Sequence, residues 1–308
     1  MDIDAAVAEW NDAGVVVLPA FLDGTDLAGA VAELPTMFPT GPEFHQQIDE
    51  ERNERFRDEF AGIDSFPFAG SALSVLSVHP KLISLARSLL RVDDLRVYSI
   101  EAWAKYTGAA DYEQPLHRDY LNHTLLVPSD DPRFRQVEMF VYLVDVPAEL
   151  GAPAFVAQAV TPDVPALPNW YPRVDTEPDA DNPAWTSTAG RPDLYDAEMV
   201  ASGPAGTVVA YTTSTFHRGR QLTEPEGARF TIHVNFRPAQ ADWAARRSWV
   251  EESLDPNWQT FLAAASPDQL SLFGFPPPGH PYWSEQTLAG VALRYPRLDL
   301  APWRLALR

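Results

Sequence analysis

Leu116-His117-Arg118-Asp119-Tyr120 puts an imidazole and a carboxylate two residues apart. On an extended backbone, side chains at i and i+2 point to the same face, so His117 and Asp119 can reach one common point. One further imidazole would complete two histidines and one carboxylate on one face of a metal, the donor set that suits non-haem Fe(II) and leaves positions open for other ligands. His217, which closes the apolar run Thr207-Val208-Val209-Ala210-Tyr211, is the candidate. Arg229-Phe230-Thr231 follows twelve residues after it, where a guanidinium and a hydroxyl could grip a dicarboxylate co-substrate. A lone His-x-Asp pair is a weak signal in an Asp-rich chain with seven histidines, and reads equally well as a loop histidine beside a solvated aspartate. The ordered set of four parts carries the metal-site reading.

Outward from the pair, the chain has a β pattern. Leu95 to Tyr106 alternates, with Leu95, Val97, Ser99, Glu101, Trp103 and Lys105 expected on one mixed, pocket-like face and Tyr98, Ile100, Ala102 and Ala104 on the other. Lys105 either points into the site or stands as an exposed edge lysine; the residues leave both open. Val137 to Val146 is a second strongly apolar strand ended by Pro147, and Gly151 to Val156 continues the pattern. Thr207 to Phe216 predicts one strand that delivers His217. Glu224-Pro225-Glu226-Gly227 suits a type I turn, reversing the chain into Arg229 to Arg237. There Arg229, Thr231, His233 and Asn235 alternate strictly with Phe230, Ile232, Val234 and Phe236, so that one face packs and the other works. His233 is a rival third ligand, but its place two positions beyond Arg229 suits a hydrogen-bonding neighbour.

Helical patterns flank this region. Ile3, Val7 and Trp10 are helically spaced and stop at Gly14, a good left-handed helix end. Val15 to Leu18 reads as a short buried strand, Leu27 to Leu34 as a helix, and Leu82, Leu85, Ala86 and Leu89 as an amphipathic helix opened by Pro80 with His79 at its start. The polar stretch from Pro35 to Ser65 includes His45, expected on the surface. Ser266-Pro267-Asp268-Gln269 is a capping-box helix start ended by Gly274, and the aromatic, proline-rich tail through Trp283 and Trp303 is expected to wrap the core. Between Thr161 and Val200 stand seven prolines, eight acidic residues and two arginines, with Trp170, Tyr171, Trp185 and Tyr195 interspersed. A stretch this long is either a functional lid or an insertion packed on the surface.

The bulk numbers exclude several classes. The 45% hydrophobic and 21% charged fractions of this 308-residue chain are those of an ordinary globule able to bury a large core. Without cysteine there is no disulfide, thiolate metal site or thiol nucleophile. A formal net charge of −20 repels phosphates and anionic lipid surfaces, so neither nucleic acid nor membrane is an expected partner. The acidic start Met1-Asp2-Ile3-Asp4 lacks the features of a signal peptide and no apolar run reaches membrane-span length; a cytoplasmic location is the expectation. Asn122-His123-Thr124 matches a glycosylation acceptor only formally.

Gly14 to Leu22, the His117-x-Asp119 pair, Tyr142-Leu143-Val144-Asp145-Val146, and the Gly206 to His217 stretch leading to Arg229-x-Thr231 together resemble the phytanoyl-CoA dioxygenase family of Fe(II)- and 2-oxoglutarate-dependent oxygenases, over about Asp12 to Pro238. The resemblance implies a mainly β fold with flanking helices, a double-stranded β-helix of the jelly-roll, cupin-like kind. It implies one oxygenase domain over residues 1–308: helices within 1–94, a jelly-roll core of about 95–238 with an insertion at about 161–200, and an extension at 239–308. It further implies Fe(II) on His117, Asp119 and His217, and 2-oxoglutarate on the metal with its far carboxylate on Arg229 and Thr231; Lys105 is a further candidate for holding it. With O2 this chemistry yields succinate, CO2 and a hydroxylated product. Halogenating relatives lack a carboxylate where Asp119 stands, which favours hydroxylation here. The family's usual Pro-Gly-Ser-His segment is replaced by Val156-Ala157-Gln158-Ala159, a departure on the substrate side. The alternative is a non-catalytic or differently metallated cupin-like binding protein. The expected substrate is a small molecule, neutral or cationic and partly apolar, enclosed by aromatics such as Trp170 and Trp185. A coenzyme A thioester fits poorly beside eight acids. The residues say nothing of oligomeric state.

Overall fold

A computed structural model describes residues 2–57, 62–109, 113–126, 128, 131–178, 185–246, 248–253 and 255–307. Two sheets of antiparallel strand pairs face each other. The larger contains β1 (Val15–Leu18), β2 (Ile63–Ser65), β3 (Leu95–Tyr106), β5 (Val137–Tyr142), β9 (Val208–Thr212) and β11 (Ala228–Pro238), in the spatial order β1-β9-β5-β11-β3-β2. The smaller contains β4 (Leu116–His117), β6 (Ala154–Val156), β7 (Trp170–Tyr171), β8 (Glu198–Val200) and β10 (Phe216–Arg218), in the order β7-β4-β10-β6-β8. Antiparallel sheets with helices on the outside are the expected class, and the small sheet carries the His-x-Asp pair.

The strict alternation of β11 does what the pattern predicts. Phe230, Ile232, Val234 and Phe236 join the main apolar cluster with Ile100, Ala102 and Ala104 of β3, and the helix Pro80–Leu90 covers them with Leu82, Leu85 and Leu89. The C-terminal tail completes this outer layer through Trp258, Phe261, Trp283 and Trp303. Burial of each such side chain contributes roughly 1.5 to 3 kcal/mol, so the tail is part of the core. The helix Ile3–Ala13 ends at Gly14 with φ 72, as its sequence requires. The next helix, Gly24–Met37, is longer than Leu27 to Leu34 because the Asp23–Asp26 capping box starts it a turn early and Pro35 fits inside its last turn. No helix among the described residues is long and apolar enough to cross a membrane.

Several expectations are corrected. The β3 register against β11 shifts between Asn235 and Phe236, so that Ser99 faces Asn235 but Val97 faces Phe236. This bulge leaves Tyr98 as the extra residue. Val97 therefore lies in the outer core with Ile100, while the Tyr98 hydroxyl bonds to Glu138. The run from Thr207 to Phe216 is two strands in different sheets: β9 stops at Thr212, where Thr212, Thr215 and Gln158 bond one another, and β10 starts at Phe216. The strand from Val137 stops at Tyr142, and Val146 makes only an isolated bridge to Gly203. The Glu224–Gly227 turn has Glu226 at φ 56, which a type I turn does not allow at its third residue. His45 is half-buried, with its Nε2 3.0 Å from the Gly227 carbonyl.

The stretch from Thr161 to Val200 is built into the small sheet at two places. Its Trp170–Tyr171 and Glu198–Val200 segments are the two outer strands of the small sheet.

Candidate active site

His117 on β4 and His217 on β10 are directly opposed partners on neighbouring strands, and Asp119 follows β4 just before the short helix Tyr120–His123. His117 Nε2 lies 3.6 Å from Asp119 Oδ1, and His217 Nε2 lies 3.1 Å from Asp119 Oδ2. One donor atom from each of the three residues falls within 4.8 Å of the other two. Each imidazole is held by its other nitrogen: His117 Nδ1 is 2.9 Å from the Pro115 carbonyl and His217 Nδ1 is 3.2 Å from the Thr215 carbonyl. A carbonyl only accepts, so Nδ1 carries a proton in each and Nε2 is the atom left to bind a metal; in His217 that Nε2 meets the Asp119 carboxylate until a metal takes its place. Trp170 stacks on His117 at 4.0 Å and 11°, and Phe155 lies against His217 at 5.6 Å and 20°.

Burial, and then the nearby His217, push the His117 pKa down to about 4. Burial also works against a charge on His217, but Asp119 outweighs it and raises its pKa. Asp119 resists its own burial because His217, His123 and His117 surround it, and its pKa falls well below the usual carboxylate range. His117 is thus neutral and Asp119 ionised, as metal donors must be, while His217, whose charged form Asp119 favours, would release its proton when a metal binds. The residues fit Fe(II).

A cavity of about 190 Å³ opens beside the three residues. Its walls carry the inward face of the large sheet, including Lys105, Arg229 and Thr231. The structure thus brings all six sequence candidates to one space. Arg229 is anchored by Nη1, which donates to the carbonyls of Gly151 and Leu150. Burial lowers its pKa to about 10, and burial followed by Arg229 lowers that of Lys105 far below its usual value. Two buried cations at one end of a cavity suit a dicarboxylate, which would restore the charge that burial disfavours. His233 is not in the donor cluster; it stacks on Trp103 at 4.6 Å and lies 3.3 Å from the Thr231 hydroxyl.

Other site residues escaped the sequence reading. Glu138 and His123 line the same cavity, and with Asp119 they form a second group whose oxygen and nitrogen atoms lie within 4.8 Å of one another. A glutamate between Val137 and Met139 in an otherwise apolar strand was the available signal. Arg118, buried between the two β4-side donors, reaches the other way: its Nη2 donates to the carbonyls of Pro165, Ala166 and Pro168 at 2.7, 2.8 and 3.0 Å. Of the two tryptophans expected to enclose a substrate, Trp170 lines the cavity, whereas Trp185 is 43% exposed. Gln158, in the departure from the usual segment, packs under Gly14 and bonds Thr212 and Thr215.

The family model described as Phytanoyl-CoA dioxygenase (PhyH) matches residues 10–227. The chain belongs to the phytanoyl-CoA dioxygenase family. It is accordingly an Fe(II)- and 2-oxoglutarate-dependent enzyme. The phytanoyl-CoA dioxygenase match stops two residues before Arg229. No curated protein matches the chain. Among solved structures it is similar to the epimerase SnoN in complex with Fe3+, alpha ketoglutarate and nogalamycin RO, at 21% identity over 77% of this chain and 84% of that one, with a TM-score of 0.51. The carbocyclase SnoK from nogalamycin biosynthesis follows at 19% identity, 76% and 83% coverage and a TM-score of 0.50. HygX from Streptomyces hygroscopicus with iron bound has 16% identity, 76% and 86% coverage and a TM-score of 0.50. At these identities the likeness establishes the fold, the double-stranded β-helix.

Proposed function

We propose that this enzyme hydroxylates an unactivated C–H bond of a small molecule, with His117, Asp119 and His217 holding Fe(II) and Arg229, Thr231 and Lys105 holding 2-oxoglutarate. The observation that carries the reading is the convergence of two Nε2 atoms and one carboxylate within 4.8 Å, each imidazole fixed by a backbone carbonyl. When bound, Fe(II) with 2-oxoglutarate and O2 supplies the oxidation: one oxygen atom leaves in succinate as CO2 is released, and the other replaces a substrate hydrogen as hydroxyl.

The chain's own residues bind, orient and shield. Arg229, anchored through Nη1, would receive the far carboxylate of 2-oxoglutarate as a charge-assisted hydrogen bond, and the Thr231 hydroxyl lies on the same face of β11 two residues on. Trp170 and Phe155 pack the ligand imidazoles and keep water from them. Asp119 fills a coordination position with a carboxylate, which favours hydroxylation over halide transfer. The epimerase and carbocyclase on this fold mean that product structure, not 2-oxoglutarate consumption, must identify a hydroxylase. Trp103, Phe140 and Trp170 on the cavity wall support a partly apolar substrate, and the acid-rich stretch 161–200 supports a neutral or cationic one. Stimulation of turnover by a coenzyme A thioester in preference to a free acid or amine, weakening steeply with salt, would contradict that part.

The test is substrate-independent at first. Under air with Fe(II) and 2-oxoglutarate the protein makes succinate slowly and His217→Ala does not; with a turned-over substrate the product gains one oxygen atom. Metal binding without succinate from any of a broad compound panel would favour a cupin-like binding role instead.

A further inference from the structure

The cavity has two chemically unlike ends. Arg229 and Asn235 face it from the same strand, six residues or roughly 20 Å of extended chain apart. Opposite Arg229 stands Lys105, with Tyr142 opposite Thr231; opposite Asn235 stands Glu138, with His123 and Arg246 on the same part of the wall, and Glu101, just outside the lining, faces His233 and pairs with Arg246. If the cationic end takes 2-oxoglutarate, the acidic end is left for the substrate.

The two acids differ in what they already bond. Glu101 receives Arg246 Nη1 and Trp103 Nε1, each at 3.2 Å. Glu138 is 1% exposed, and its Oε1 takes a hydrogen bond from the Tyr98 hydroxyl at 2.9 Å and another from His123. Its Oε2 is fully buried and meets no donor in good hydrogen-bond geometry, although the Tyr211 hydroxyl and the Asp119 carboxylate lie close to this carboxyl group. A buried carboxylate oxygen without a donor is costly, and this one belongs to a residue on the cavity wall within 4.8 Å of the donor atoms of Asp119 and His123. We propose that Glu138 accepts a hydrogen bond from a hydroxyl or ammonium group of the substrate and thereby fixes which part of it faces the metal. The proposal rests on the oxygenase reading above.

The same geometry selects against other occupants. An anionic group would meet Asp119 and Glu138 together. A second metal ion would need His123 Nδ1 and Glu138 Oε1 to give up the bond they share. A donor group leaves all these bonds intact and needs only the small side-chain shift that opens the buried Oε2 to the cavity. Hydroxyl and ammonium share the required chemistry, and the experiment separates them.

Binding of benzylamine, benzyl alcohol and benzoate is measured by calorimetry on the anaerobic Fe(II)–2-oxoglutarate protein, with the visible charge-transfer band of that complex recorded first. Benzylamine or benzyl alcohol is expected to bind at least roughly tenfold more tightly than benzoate, the factor one hydrogen bond to a charged acceptor supports. Glu138→Leu should erase the advantage. Glu138→Gln, which keeps a carbonyl acceptor and loses the charge, should spare the alcohol and weaken the amine. If thermal unfolding shows that Glu138→Leu does not fold, the carbon-13 carboxylate resonance of Glu138 in zinc-substituted protein decides, since it must move when the preferred probe is added. Equal or tighter binding of benzoate, a donor preference that survives Glu138→Leu, an unmoved resonance, or a second metal ion per chain that Glu138→Gln removes would each overturn the proposal. Absence of the charge-transfer band is a different failure: it refutes the oxygenase reading and this inference with it.

Discussion

Arg229 is held from one side by two backbone carbonyls, so its guanidinium is oriented before any ligand arrives. Truncating one partner of a buried charge pair typically costs 2 to 5 kcal/mol or more. Arg229→Ala should therefore weaken 2-oxoglutarate binding by a few hundredfold or more, roughly 3 to 5 kcal/mol. Arg237→Ala is the control, because that side chain bonds Pro238, Ala239 and Asp242 outside the cavity; calorimetric titration separates the two, and the reverse ranking would mean the co-substrate lies elsewhere. Asp119→Gly should abolish hydroxylation altogether, while a wild-type enzyme that mainly chlorinates its substrate would contradict the role given to this carboxylate. The proposed metal set and clamp could be picked out in the sequence because such sets use few residue types at narrow spacings. Glu138 could not, because a single acid in an apolar strand acquires meaning only when Tyr98, His123 and Asp119 are seen around it.

Elements were legible where periodicity alone decides them. β11 alternates without a fault and packs as written, and the helix from Pro80 does the same. β3 carries an equally clear alternation, yet its bulge at Tyr98 is set by pairing with β11, which its own residues do not encode. His217 likewise seemed to end one strand, because the β-favouring threonines Thr212, Thr213 and Thr215 carry strand-like composition across the turn that moves the chain to the other sheet. Turn glycines offer a direct test of how such joints are held. Gly206, just before β9, has φ 82, and an added Cβ would sit 1.9 Å from the Leu22 carbonyl oxygen. Gly274 has φ 90 with nothing within 4 Å. Both alanine variants bear the left-handed strain, roughly 1 to 2 kcal/mol, but only Gly206→Ala also forces backbone apart. Thermal unfolding should show Gly206→Ala several degrees less stable than Gly274→Ala; equal losses would mean the Leu22 segment yields freely.

Across the whole molecule, buried His117 and half-buried His233 make stability depend on pH in a definite sense. His117 is held down to about 4 by burial and His217, and His233 is held well below its usual 6.5 by burial, Arg229 and Lys105. The unfolded chain protonates both near 6.5, so below that pH it binds more protons than the folded chain, and their stabilising contribution, complete above 6.5, is lost as pH falls. For His117 the interval from 6.5 to about 4 corresponds to roughly 3 kcal/mol in the metal-free protein. His217 and His123 have raised values and oppose this trend, so the informative quantity is a difference. The stability of wild type relative to His233→Phe should shrink steadily as pH drops below 6.5; a pH-independent difference would mean that His233 titrates normally.

Arg118 sits between the two β4-side donors and holds three carbonyls of residues 165–168, while Trp170 covers His117. This has a consequence for anyone who would re-tailor substrate range by transplanting loops. A wholesale swap of residues 161–200 would strip the small sheet of both outer strands and cut the tether from Arg118, so such chimeras should lose iron affinity along with selectivity. A transplant that spares residues 165–171 and Glu198–Val200 leaves the tether, the stacking ring and both seams in place. The sequence of 161–200 outside those two segments is thus the portion free to diverge among relatives that keep the same chemistry.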